Sequence, residues 1–230
     1  VQEIGGTIKA IEKAREVIEE FINLSKNTKR IEATLEDLII GTECGASDSY
    51  SGLSANPVVG YVSDKLVGEG STVILTELTE CIGAEDILAN QCVNEDISKK
   101  LLTMIKETEG NLARVGTSNI VDISPGNLAG GLTTIEEKSL GCIKKGGSTI
   151  IQEILEHGKR PTKKGLVVMD APGHDIESMI AMAAGGASLI YFTTGRGSPA
   201  GNPIVPVIKV CSNSQTFNKL NDNMDINAGA

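Results

Sequence analysis

Four short apolar runs punctuate this chain: Glu36-Asp-Leu-Ile-Ile40, Thr72-Val-Ile-Leu-Thr76, Leu166-Val-Val-Met169 and Ser188-Leu-Ile-Tyr-Phe192. Each breaks off into a polar loop, and segments of helical periodicity lie between them. Runs this short, rich in branched residues and closed by polar turns, read as buried strands. Strands that alternate with helices cannot pair through tight hairpins. The pattern therefore predicts a three-layer α/β fold, a mostly parallel sheet with helices on both faces in the Rossmann-like manner. In such a sheet the polar loops collect along the carboxyl edge, where ligands bind.

The helical segments follow from spacing. Ile8, Ile11, Ala14, Ile18, Phe21 and Ile22 mark an amphipathic helix to about Lys26, with Thr7 as its N-cap. Further helices are expected over residues 57–67, 84–90, 96–109 (stopped by Gly110), 149–156 and 176–184. Thr133 to Glu136 and Thr134 to Glu137 form overlapping capping boxes that open another. Residues 119–132 and the tail 221–230 read as loops, and Pro206 demotes 204–210 to an edge strand. With no internal repeat and no long polar linker, residues 1–230 are expected to form a single domain.

Composition narrows the partners. A formal charge of -9 without any long Lys/Arg run argues against nucleic acid or an anionic membrane. Aromatic residues at 3% with no Trp leave little for stacking on sugars, so a polyol would be held by hydrogen bonds. Five scattered cysteines without C-x-x-C indicate a reducing, cytoplasmic setting rather than a disulfide framework. The sequence holds no signal peptide or membrane-length apolar run. Val1 in place of Met, followed almost at once by a helix, suggests part of a longer protein.

The chemistry concentrates in Gly41-Thr-Glu-Cys44-Gly-Ala-Ser-Asp48-Ser-Tyr-Ser51-Gly-Leu-Ser-Ala-Asn56-Pro57, read as a loop between a strand and a helix, with Asn56 as N-cap and Pro57 as the first helical residue. Asp48, Glu77, Glu80 and Asp170 all fall just past apolar strands. Together they could hold a divalent metal or act as general acid and base; individually each suits capping or loop hydration. Cys44 leans towards the site because of its loop, whereas Cys81, Cys92, Cys142 and Cys211 read as core. Two histidines cannot make a His-rich centre within the chain, and His174 beside Asp170 is a weak candidate base.

Arg196, between Gly195 and Gly197 at a strand end, suits a bidentate grip on a carboxylate. Ser124-Pro-Gly-Asn127 with Gly130-Gly131 could cradle an anion, although it matches neither nucleotide-binding glycine motif. Lys138 is either catalytic or solvated. A hydrolase lacks its G-x-S-x-G elbow here. A nucleotide-binding or purely structural module is the non-enzyme alternative.

Several long motifs resemble the altronate and galactarate dehydratase family, which also includes a sulfolactate sulfo-lyase subunit. They are Cys44 to Pro57, Ser124-Pro-Gly-Asn127 through Gly141, Met169-Asp170-Ala-Pro-Gly173, Phe192-Thr-Thr-Gly-Arg196-Gly197 and Asp225-Ile-Asn-Ala-Gly229. The resemblance implies a lyase that converts a sugar acid to a 2-keto-3-deoxy acid with a divalent metal, iron(II) in the best-known members and manganese(II) as the alternative. It also implies a carboxyl-terminal portion that lacks an amino-terminal domain or subunit. Besides the sugar acid, a second copy of the chain, in a homo-oligomer, is a candidate partner. Glu77-Leu-Thr-Glu80-Cys81 departs from the family's Glu-x-Pro-Glu-aliphatic pattern but keeps both acids, and Lys209-Val-Cys-Ser-Asn213 departs where relatives lean to a Thr before the Asn, so Cys211 is not expected to be essential.

Joined to the residue chemistry, the resemblance gives Glu77 and Glu80 to metal or base, with Cys44, Asp48 and Lys138 in the same catalytic cluster. Arg196 and the Asn127 loop go to the substrate acid, and Ser51, Asn56 and Asp170 to its other contacts. All of this expects Asp48, Glu80, Asp170 and Arg196 along one rim of the sheet.

Overall fold

The computed structural model describes residues 1–114 and 123–230. These fall into two compact units, Val1–Ala33 and Thr34–Ala230. The first carries α1 (Thr7–Asn27), in which no residue is buried; Thr7 is its first helical residue and Gly6, at φ 120°, occupies the cap position. No described helix is long and apolar enough to cross a membrane.

The second unit is built on seven parallel strands: β1 (Ile39–Cys44), β2 (Thr72–Leu75), β3 (Ile151–Leu155), β4 (Gly165–Met169), β5 (Leu189–Thr194), β6 (Val207–Cys211) and β7 (Ile226–Asn227), in the order β3-β4-β2-β1-β5-β6-β7. The expected parallel α/β architecture is therefore present. Between the strands lie α2 (Ala55–Gly68), α3 (Glu85–Asn90), α4 (Glu95–Arg114), α5 (Pro125–Ala129), α6 (Ile135–Cys142), α7 (Asp175–Ala184) and, after β6, α8 (Ser214–Lys219).

Alternation along the strands divides the core. Ile40, Val73, Leu75 and Val168 pack with Leu88, Leu101 and Ile105 on one face, while Ile39, Ile74, Val167 and Phe192 meet Met179 and Met182 of α7 on the other. The chain leaves β1 for β2 on one side and pairs β1 with β5 on the other, so the end of β1 is a switch point open to ligands.

Several elements differ from the sequence reading, each for a local reason. Residues 151–155 are a strand, not a helix: the register shifts between Ile151 and Glu153, so Ile151 and Ile154 are both buried at a spacing that imitates a helical face. Gly110 does not stop α4, which runs on to Arg114; it is exposed, and a side chain there would meet nothing within 4 Å. Pro206 precedes β6 rather than interrupting it, and β7 pairs with β6, so β6 is not the edge and the tail is not all loop. Finally, β1 continues to Cys44, because Thr42, Glu43 and Cys44 stay paired with Tyr191, Phe192 and Thr193 of β5; glycine at position 41 lets α7 lie against the strand, where a side chain would approach the Met182 sulfur to 2.5 Å.

Of the expected loop 119–132, residues 119–122 lie outside the described residues, and α5 forms within the rest. Helix α2 starts at Ala55, so Asn56 lies inside it and Ser54 takes the cap position.

Lys209 on β6 is 4% exposed and carries its ammonium 3.1 Å from the centre of the Phe192 ring, and that ammonium has no hydrogen-bond partner among the described residues. Burial pulls its pKa down to about 8, with Asp175, Glu43 and Asp225 opposing the shift. Below pH 8 folding carries the whole penalty. Between about pH 8 and the ordinary value of 10.5 the unfolded chain holds more protons, so stability rises with pH in that window. Lys209→Met should raise stability at pH 7 by about 2–3 kcal/mol and flatten that rise. Urea melts at several pH values test this; a variant no more stable than the parent contradicts it.

Candidate active site

The carboxyl edge gathers side chains from three segments. β1 ends at Cys44, which is 2% exposed. After β2 the chain turns through Glu77, held in the left-handed region at φ 67°, and a single 3-10 turn, Leu78–Cys81, presents Glu80. From the third segment, α6 and the turn that continues it, come Lys138, Cys142 and Lys145, spaced to share one helical face.

Contacts within this cluster are close. Lys145 Nζ donates to Glu77 Oε2 at 2.6 Å with both side chains fully buried, and to Cys142 Sγ at 3.0 Å. Lys138 Nζ pairs with Glu80 Oε1 at 2.6 Å. Cys44 donates from its backbone N–H to Glu77 Oε2 at 3.0 Å and from Sγ to Glu80 Oε2 at 3.0 Å, and its sulfur is 3.8 Å from that of Cys142.

The two carboxyls differ in charge state because their cations differ. Burial drives Glu77 up to about 7 against the pull of Lys145. Burial also acts on Glu80, yet the Lys138 and Lys145 charges outweigh it and hold that carboxyl below its ordinary range. Lys138 overcomes its own burial through Glu80 and stays protonated well above neutral pH. On the opposite sheet face Glu43, fully buried, accepts from Ser178 and Thr76, and burial and the Glu77 charge push its pKa well up.

Above the cluster opens a hollow of about 260 Å³, lined by Cys44, Asp48, Ser51, Asn56, Lys138 and Cys142 among others. Asp48 accepts from Ser51 Oγ at 2.9 Å, Ser212 Oγ at 2.7 Å and Asn213 Nδ2 at 2.9 Å. Asn56 accepts from Thr193 Oγ1 at 2.6 Å and donates to Gly141 O at 2.9 Å, so it ties α6 to β5. A second hollow shares Asp48 and adds Arg196, Ser212 and Asn213.

The sequence-predicted residues thus fall into groups. Cys44, Glu77, Glu80 and Lys138 meet directly, and Asp48, Ser51 and Asn56 line the first hollow with Cys44 and Lys138. Arg196 is exposed in the second hollow. Asn127 is buried, and its amide donates to Ser47 O at 3.1 Å, so it anchors the β1–α2 loop; its backbone N–H already goes to Ser124 Oγ. Asp170 is half-buried at the end of β4 and lines neither hollow. His174 is exposed at the start of α7.

Cys142 is not plain core: the reading that placed it there missed its contact with Cys44 and Lys145. Lys145 and Glu43 were missed altogether. Only the three-residue step from Cys142 to Lys145, repeating the helical face of Lys138, could have signalled the first.

A parallel sheet with acids, thiols and ammoniums converging past the switch point has the architecture of an α/β enzyme. The chain belongs to the D-galactarate/altronate dehydratase family: the description "D-galactarate/Altronate dehydratase, C-terminal" matches residues 35–230. It is 39% identical over 219 residues to altronate dehydratase of Escherichia coli, covering 95% of this chain and 44% of that protein. Galactarate dehydratase (L-threo-forming) of the same organism is also 39% identical, with 95% and 42% covered. The (2R)-sulfolactate sulfo-lyase subunit beta of Chromohalobacter salexigens is 36% identical over 227 residues, with 97% and 58% covered. The chain spans about half the length of the curated relatives it matches.

Proposed function

We propose that this chain supplies the acid and thiol centre of a hydro-lyase that removes water from a sugar acid of the altronate or galactarate type, leaving a 2-keto-3-deoxy acid. The observation that carries this reading is the buried cluster of Cys44, Glu77, Glu80, Lys138, Cys142 and Lys145 beneath the first hollow, in a chain of the dehydratase family. A hydrogen on the carbon next to a carboxylate is weakly acidic. Its removal needs a base, a charge to stabilise the enediolate and an acid for the departing hydroxyl.

Lys138 lines the hollow and keeps its proton because it is paired with Glu80, so its charge can meet the negative charge that develops on the substrate. Without a bound ion Glu77, at about 7, can take up and return a proton near neutral pH, with Cys44 between it and the hollow; with one bound it would serve as a ligand instead. Asp48 and Ser51 meet substrate hydroxyls, and Arg196 in the adjoining hollow grips the carboxylate.

The donor set fits a divalent metal. Cys44, Glu77, Glu80 and Cys142 each offer a ligand atom, all within 4.8 Å of one another. Two thiolates and two carboxylates carry four negative charges, of which Lys138 and Lys145 offset two and a divalent ion the other two. Thiolates favour iron(II) over manganese(II) or magnesium. A bound ion would act as a Lewis acid towards the substrate oxygens. Anaerobic incubation with iron(II), followed by desalting and elemental analysis, should leave about one iron per chain, and Cys142→Ala should lose it; equal retention by both contradicts the assignment.

The functional test is an assay of the complete enzyme with altronate, galactarate and sulfolactate, with and without iron(II). A 2-keto-3-deoxy acid from either sugar acid supports the reading. Sulfite from sulfolactate alone assigns the sulfo-lyase reaction instead, and no product from any of the three overturns both.

A further inference from the structure

We propose that Cys44 and Cys142 are an oxidant-sensitive pair, converted to a disulfide by a hydroperoxide that enters the hollow above them. The two sulfurs come from segments 98 positions apart and lie 3.8 Å from each other. Both residues are buried from bulk solvent, yet both line the hollow, so a small oxidant reaches them where a larger reagent does not. The other three thiols are placed differently: Cys81, Cys92 and Cys211 each donate to a backbone carbonyl, of Glu77, Leu88 and Asn213 respectively.

The surrounding groups supply what the reaction needs. Glu80 Oε2, 3.0 Å from Cys44 Sγ, accepts the thiol proton as that sulfur attacks the peroxide oxygen. The O–O bond breaks, Glu80 passes that proton on to the departing oxygen, which leaves as an alcohol or water, and Cys44 becomes a sulfenic acid. The Cys142 sulfur, already beside the Lys145 ammonium at 3.0 Å, then attacks the Cys44 sulfur; the S–O bond breaks and the hydroxyl departs as water with the Cys142 proton. Two thiols lose two protons and two electrons, and the peroxide takes them up. Resting on the metal assignment above, the consequence is that oxidation withdraws both sulfur donors at once, and a thiol reductant restores them.

The test is a thiol count on the reduced chain, under denaturing conditions, before and after stoichiometric hydrogen peroxide. The count should fall from five to three and recover with dithiothreitol, and peptide mapping should find Cys44 joined to Cys142. Cys142→Ser should give no cross-link and instead an oxygenated Cys44. An unchanged count, or loss from Cys81, Cys92 or Cys211 without the cross-link, overturns the proposal. Iron(II) uptake measured in parallel separates the two readings. Iron bound by the reduced chain with no cross-link defeats this inference alone, whereas a cross-link in a chain that never takes up iron defeats only the metal assignment.

Discussion

Glu80→Gln in the complete enzyme should lower turnover at least about 100-fold, the usual scale for losing a positioned acid–base group, while leaving the fold intact. Glutamine keeps the shape and removes the charge. That charge is what holds Lys138 in place at 2.6 Å and fully protonated at the wall of the hollow. It also accepts from Cys44 Sγ, so the same substitution should abolish iron retention by the isolated chain. Product formation by the variant, measured beside its circular dichroism, checks the expectation. Near-normal turnover in a folded variant would remove Glu80 from the proposed chemistry.

The largest stability effect belongs to Lys145→Met. Lys145 and Glu77 are fully buried, and removing one partner of such a pair costs about 3–5 kcal/mol because the other charge stays inside. The pair's removal as a unit should cost far less, so Glu77→Gln with Lys145→Met should recover most of the loss. The variant also carries a pH signature. Without the ammonium, Glu77 moves above the value of about 7 that burial already gives it, so its folded form binds more protons than its unfolded form up to that higher pKa. The extra stability loss therefore grows as pH rises through and beyond 7 and is smallest in acid. Chemical denaturation at several pH values measures it; a pH-independent loss below about 1 kcal/mol would contradict a buried, uncompensated carboxylate.

The sequence carried the sheet because β-branched apolar runs such as Thr72–Leu75 have one structural meaning when bounded by polar turns. It misled at Ile151 and Ile154, where a register shift reproduces a helical spacing that no single-sequence pattern separates from a true helix. Within the site, Cys44, Glu77 and Glu80 were legible because each follows an apolar strand. Cys142 and Lys145 were not, since Gly141-Cys-Ile-Lys-Lys145 reads as an ordinary helix end until α6 is laid against β1 and the Glu77 turn. Asn56 and Asn127 show the converse: polar residues in promising loops whose hydrogen bonds go to the protein's own backbone and side chains.

The left-handed backbone at Glu77 sets natural selection two incompatible goals at one codon. Glycine or asparagine would relieve a conformation that costs a longer side chain on the order of 1 kcal/mol, and paired with an apolar residue at position 145 it would leave a sturdier protein. Laboratory evolution for heat tolerance alone should drift toward that combination, and the populations that survive should be robust and chemically silent.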